Sequence, residues 1–359
     1  MITKPTLFLD KIKCKENINK MFSKAKRNNV ELRPHFKTHQ SLEIGSWFKE
    51  VGVDKITVSS ISMAEYFSSQ WNDITIAFPT NILEIEPINK LAQKITVNLS
   101  IENEESILFL CENLKFEVNV FLKIDVGYHR TGIEPTNLNL IDNILNKIDT
   151  NPFINFTGFL GHAGHTYNCR TEQGIVEIHK KSLDIMSNLK QKYIIQFPNL
   201  IISLGDTPSC SVAENFSGVN EIRPGNFVFY DLTQNLIGSN SISQIAIAMA
   251  CPIVALHENR SEIVVYGGGV HLSKDRLNDK EGVVFGRVVS RTENGWGDLI
   301  PNTYVKSLSQ EHGIISVPKD EINNYKIGDY LMILPVHSCT ASNLMKSYST
   351  FDGQEISRL

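Results

Sequence analysis

The segment Arg33-Pro34-His35-Phe36-Lys37-Thr38-His39 sets several bases into one short stretch. Strand alternation places Arg33, His35 and Lys37 on one face, with Leu32, Pro34 and Phe36 on the other. Three basic groups on one face repel one another unless an anion sits among them, and a lysine in such company has its pKa lowered toward the range where the neutral amine is nucleophilic. That is the requirement of Schiff-base chemistry. Alone, the same stretch reads rather as a solvated edge strand with scattered charge.

Four further polar clusters recur along the chain. They are Asp125-Val126-Gly127-Tyr128-His129-Arg130-Thr131-Gly132, Gly161-His162-Ala163-Gly164-His165-Thr166-Tyr167, Gly205-Asp206-Thr207-Pro208-Ser209, and Arg223-Pro224-Gly225-Asn226 followed by Tyr230-Asp231. The last two combine glycine, small hydroxyl residues and helix-start signals, so their backbone N–H groups suit a phosphate. A lysine, an arginine and a phosphate cup together describe a site for pyridoxal phosphate. Near the C-terminus, His337-Ser338-Cys339 follows the apolar run Tyr330 to Leu334. If that strand continues, imidazole and thiol share a face as a zinc-like pair with open positions; the alternative is a packed histidine beside an inert cysteine.

These clusters need elements to hold them. Apolar spacing predicts strands at 55–59, 74–78, 95–99, 118–125, 156–161, 200–204 and 221–223, separated mostly by amphipathic helices. With the Lys37 strand that makes eight, the number that closes a parallel barrel, and each cluster before Asp231 then lies at a strand's C-terminal end. The expected fold is α/β: a (β/α)8 TIM-like barrel over residues 10–238, with a second, C-terminal β-rich domain made of residues 1–9 and 239–359 that carries His337 and Cys339. No glycine-rich dinucleotide fingerprint follows the first strand, which disfavours an open doubly wound sheet.

The chain has 359 residues and a formal charge of −4, from 35 basic and 39 acidic groups, which gives no reason to expect nucleic acid or an anionic membrane as partner. Six cysteines without a C-x-x-C pair argue against a disulfide framework. The N-terminal apolar run is too short for a signal-peptide core, and a cytoplasmic protein is expected.

Taken together, the motifs resemble the fold-type III pyridoxal-phosphate enzymes, in particular the D-serine dehydratase and D-threonine aldolase branch of the alanine racemase-like barrels. The likeness runs from residue 33 to residue 344. It implies Lys37 as the Schiff-base lysine with Arg33 and His35 as supporting charge, Arg130 as a cofactor contact, Tyr167 as partner of the pyridine nitrogen, and Thr207, Gly225 and Asn226 around the phosphate. It also implies a divalent metal, zinc first, on His337 and Cys339, and a homodimer. The H-x-C form is similar to the zinc-dependent D-serine and hydroxyaspartate dehydratases, whereas the aldolases tend to carry aspartate there. The implied reaction is β-elimination from a D-3-hydroxyamino acid, D-serine giving pyruvate and ammonia. Retro-aldol cleavage to glycine and an aldehyde, and racemisation, are the alternatives. Gln40 and His271 stand where relatives of this kind often have lysine. The roles of His162, His165 and His312 stay open between substrate contact, metal support and ordinary turn residues.

Overall fold

In the computed structural model the described residues are 2–279 and 281–359; Met1, where the expected N-terminal segment begins, and Lys280 lie outside them. Strand β1 (Thr6–Leu9) and helix α1 (Lys11–Arg27) open the chain. Strands and helices then alternate through β2 (Glu31–Leu32), α2 (Leu42–Glu50), β3 (Ile56–Val58), α3 (Ile61–Phe67), β4 (Asp73–Pro79) and α4 (Ile85–Ala92). The alternation continues with β5 (Thr96–Ile101), α5 (Glu104–Asn113), β6 (Val118–Ile124), α6 (Leu138–Asp149), β7 (Ile154–Gly161), α7 (Glu172–Tyr193), β8 (Ile201–Leu204), α8 (Thr207–Val212) and β9 (Glu221–Ile222). Two compact units result: Asn19–Gly225, and the stretch up to Ile18 with Asn226–Leu359.

The first unit holds an eight-stranded sheet in the order β2-β9-β8-β7-β6-β5-β4-β3, every pairing parallel. Its two ends are joined where Phe36 N–H donates to Thr57 O at 2.8 Å and Thr57 N–H donates to Pro34 O at 2.9 Å, which closes the barrel. Most of these helices start where a short polar side chain accepts an orphan N–H, as Ser41, Ser60, Asn103, Asn137, Thr171 and Asp206 do, whereas α4 has no such cap. The strands are buried on both faces, as in β6, where Val118, Val120, Phe121, Leu122 and Ile124 are all inaccessible.

One expectation fails here. The opening strand ends at Leu32, His35 forms only an isolated bridge to Thr57, and Phe36 to His39 make a turn, so Arg33, His35 and Lys37 do not share a strand face. Arg33 points into the barrel instead, bound to Glu221 and Asp73 at 2.7 Å each, while Lys37 is carried out on the turn and exposed. Pro34 supplies no N–H of its own, although Arg33 and His35 still donate to Ile222 O and Pro224 O, and the chain leaves the sheet only at the turn that follows Phe36.

The second unit contains β1, α9 (Leu232–Ile237), β10 (Ile247–His257), β11 (Glu262–Tyr266), α10 (Gly269–Leu272), β12 (Leu277–Asp279) and β13 (Gly282–Val284). It goes on with β14 (Gly286–Thr292), β15 (Gly295–Leu308), β16 (His312–Ser316), β17 (Tyr330–Pro335), α11 (Ser338–Leu344), β18 (Ser347–Ser349) and β19 (Glu355–Ser357). Its main sheet has nine strands in the order β11-β16-β15-β14-β17-β10-β1-β18-β19. The architecture is thus α/β, a parallel eight-stranded barrel plus a second, β-rich domain. Among the described residues no helix is long and apolar enough to cross a membrane.

Candidate active site and metal pair

At the C-terminal ends of the barrel strands the side chains are mostly cationic. His35 Nδ1 accepts the Lys37 N–H at 3.3 Å, and burial together with the charges of Lys37, Arg223, His162 and Lys123 holds its pKa well below the usual value. His162 is oriented by a hydrogen bond between Nδ1 and Gly205 O at 3.2 Å. Burial and the charges of Arg130, Arg223 and Lys37 push it down to about 3, so it stays a neutral base. Lys123, on β6, donates to Ala77 O at 2.9 Å; burial lowers its pKa to about 8, with Glu102 opposing and Arg130 and Arg223 assisting. Arg223 donates to Gly161 O at 2.6 Å and to Ser203 Oγ. Ser203 in turn donates to Glu221 at 2.5 Å, so the rim arginine is tied to the ion pairs of Arg33 inside the barrel.

Positive groups gathered so closely, two histidines held neutral among them, make a place for an anion. The cup beside them fits one. Thr207 Oγ1 accepts the Gly225 N–H at 3.3 Å, which leaves its own hydroxyl proton to donate outward. The Ser209 hydroxyl is buried beside the Asp206 carboxylate, in the same turn as Thr207. A side chain at position 225 would come within 2.9 Å of His35 O, so glycine keeps the cup against the Lys37 turn. Lys37, His35, Thr207 and Gly225 therefore come together, and the charge of Arg130 reaches the same place through Lys123 and His162. Arg130 itself lies over the Tyr128 ring, 4.7 Å from its centroid. Tyr167 is half-buried in the 3-10 turn Gly164–Asn168. The donor set suits a phosphorylated aldehyde that forms a covalent bond to Lys37.

Asn226 is differently occupied. Its side-chain amide donates to Asp231 Oδ2 at 2.7 Å, to Ser338 Oγ at 2.9 Å and toward Cys339 Sγ at 3.6 Å. The pair His337 and Cys339 is also not a strand pair as expected. β17 stops at Pro335; His337 is the residue before α11, and Cys339 lies in its first turn. A helical turn nonetheless keeps them adjacent. Burial pulls the His337 pKa down, but Cys339 and the hydrogen bond to Asp231 outweigh it and raise it to about 11. His337 Nδ1 lies 3.0 Å from Asp231 Oδ2. A buried carboxylate behind an imidazole that stands next to a thiol is a donor set for a soft divalent ion, with the outer support such ions require.

Sequence reasoning passed over Lys123, Arg223 and Asp231 as site residues. Lys123 carried a signal, a charge inside the apolar run 118–124; Asp231 carried only proximity to a motif. A third arrangement also emerges: Asp125, His129 and Glu134 bring ligand atoms within 4.8 Å of one another. Asp125 Oδ1 already accepts the N–H groups of Gly127, Tyr128 and His129, and His129 Nδ1 lies 2.9 Å from its other oxygen. The cluster reads as loop closure.

Known proteins place this geometry. A model for the N-terminal domain of alanine racemase matches residues 9–232, and one for a serine dehydratase domain matches residues 246–351. The chain belongs to the alanine racemase-like family. It is 31% identical to the D-serine dehydratase of Dictyostelium discoideum over 95% of this chain and 91% of that one. The D-threo-3-hydroxyaspartate dehydratase of a Delftia species is 24% identical over 96% and 93%. The solved structure of the Delftia protein superposes with a TM-score of 0.92, covering 100% of this chain and 98% of its own. The chain is an enzyme of this family.

Proposed function

We propose that this enzyme is a pyridoxal-phosphate-dependent lyase that eliminates water from a D-3-hydroxyamino acid, D-serine giving pyruvate and ammonia, with zinc or another divalent ion on His337 and Cys339. The names of the two dehydratase relatives support the reaction class. The observation that carries the choice of reaction is the pairing of His337 with Cys339 in front of Asp231. A racemase would have no use for it. A cysteine-to-alanine variant of a D-threo-3-hydroxyaspartate dehydratase, solved in what its description calls the metal-free form, supports the same reading for this one.

Bound pyridoxal phosphate supplies the electron sink for chemistry at Cα, and a divalent metal supplies a Lewis acid for a departing hydroxyl. Lys37 Nζ would hold the cofactor, and the same nitrogen, when free and neutral, would take the Cα proton. Thr207 and the Ser209 hydroxyl hold the phosphate, with Arg130, Arg223 and Lys123 as countercharge. His35 and His162 stay neutral, so neither competes with Lys37 for the role of cation. We further propose a homodimer, which light scattering tests directly.

The deciding experiment offers D-serine, D-threonine and D-threo-3-hydroxyaspartate to the enzyme with and without chelator and scores keto acid against glycine. Keto acid that disappears on chelation is expected. Glycine would overturn the dehydratase reading, and chelator-resistant keto acid the metal's role. Lys37→Ala is expected to abolish the borohydride-sensitive visible absorption; survival of that band would overturn the anchor.

A further inference from the structure

Asp231 is inaccessible and its carboxylate is saturated. Oδ2 accepts from the Asn226 amide at 2.7 Å, from Ser338 N–H at 2.9 Å and from the His337 ring at 3.0 Å, while Oδ1 accepts the Gln234 N–H at 2.8 Å. A carboxylate surrounded in this way can only accept, so the His337 nitrogen facing it must carry the proton. When a metal replaces the other ring proton, the remaining N–H therefore stays on Nδ1 and the ligating lone pair is on Nε2.

The same logic orients Asn226. Its amide must turn the NH2 end to Asp231, because an oxygen there would face a carboxylate; consistent with this, Asn226 Oδ1 is buried with no partner among the described residues. One N–H goes to Asp231. The other is shared between Ser338 Oγ at 2.9 Å and Cys339 Sγ at 3.6 Å. A single buried carboxylate thereby orients one metal ligand directly and, through Asn226, supplies a hydrogen bond to the other.

We propose that Asp231 and Asn226 are positioning residues for the metal pair: Asp231 sets His337 to ligate through Nε2, and Asn226 donates to the Cys339 thiolate and moderates its donation to the metal. This rests on the metal reading above. It also gives Asn226 a task other than the phosphate contact implied by resemblance.

The test uses the full-length protein stripped of metal and retitrated with Zn²⁺ against a chromophoric chelator, and with Co²⁺ to read the thiolate-to-cobalt charge-transfer band. Asp231→Asn is isosteric and keeps an oxygen for the Gln234 cap but sets an NH2 against the Ser338 and Asn226 donors, so circular dichroism accompanies the titration to show that the fold is retained. It is expected to weaken Zn²⁺ binding roughly 10- to 100-fold. Asn226→Ala is expected to move the charge-transfer band to lower energy, because a thiolate without its N–H donor is easier to oxidise; a merely structural role would leave the band in place. Wild-type affinity and an unmoved band in both variants would overturn the proposal while leaving the metal reading intact. Loss of the whole effect at its source, a wild-type protein whose cobalt band is absent or survives Cys339→Ala, would overturn the metal reading and this proposal with it.

Discussion

Lys123 is a buried cation whose charge is opposed by burial and by Arg130 and Arg223 and favoured by Glu102. Keeping it charged costs the fold free energy, and the sign of the pH dependence follows. Its pKa is about 8 in the native state against 10.5 when unperturbed, so below pH 8 both states are protonated and the cost is present in full. Between pH 8 and 10.5 the native state releases its proton first, and stability rises with pH by at most about 3 kcal/mol. Lys123→Met is therefore expected to stabilise the cofactor-free protein at pH 7, less any cost of the lost bond to Ala77 O, and the difference from wild type should shrink steadily toward pH 10. Urea denaturation at three pH values measures it. A difference that does not change with pH would show that Lys123 is already neutral. At this scale the sequence was partly legible: Lys37, Thr207, Gly225 and the H-x-C pair could be read from residue types in short motifs. Arg223 and Asp231 could not be read as site residues, because their roles come from Gly161, Ser203 and His337, far along the chain, and no local pattern announces such partners.

Among the elements, the barrel was the more legible half because its strands are short apolar runs between helices whose stripes repeat every third and fourth residue. Strands expected at 74–78, 118–125 and 200–204 are found as Asp73–Pro79, Val118–Ile124 and Ile201–Leu204. β15, fourteen residues long, escaped notice because Gly297 and Pro301 look like breakers and its pairing with β14 and β16 is interrupted by irregular register. α11 was misread as strand continuation: Pro335 ends β17, and the seven residues that follow His337 are too few to show a helical period. The barrel also depends on one tight approach. Gly158 on β7 adopts φ +151°, and a side chain there would come within 1.9 Å of Ile201 O on the neighbouring strand. The obstacle is backbone held in a ladder, so neither side can yield without unpairing β7 from β8. Gly158→Ala is expected to destabilise by more than about 3 kcal/mol and to lower the melting temperature or abolish soluble expression. A wild-type melting curve would mean that the strands part there at little cost.

The chain as a whole returns to its beginning. β1 is not an edge strand of the nine-stranded sheet; it lies between β10 and β18, antiparallel to the first over Thr6–Leu9 and parallel to the second at Phe8. Among the described residues the C-terminal strands β18 and β19 pair with the rest of that sheet through β1, with Phe351 of their turn also against Trp296 of β15. Leu7, Phe8 and Leu9 are buried, and Phe8 meets Phe351 with ring centroids 4.7 Å apart. Lys11 adds a salt bridge to Asp352 at 2.5 Å, exposed and therefore a minor contributor. Burying three large apolar side chains contributes roughly 5–9 kcal/mol. Against a domain stability of about 5–15 kcal/mol, that is enough to decide whether the sheet holds together. Deleting residues 1–10 is therefore expected to release the hairpin at 347–357 first. Limited proteolysis followed by mass spectrometry should find early cuts between Leu344 and Leu359 in the deleted protein and protection there in the full chain. Equal protection in both would show that the hairpin is held by something other than β1. The distance along the sequence between β1 and β18 is why no window of residues could reveal this pairing, and Ser347-Tyr348-Ser349 is too polar to stand out as a strand.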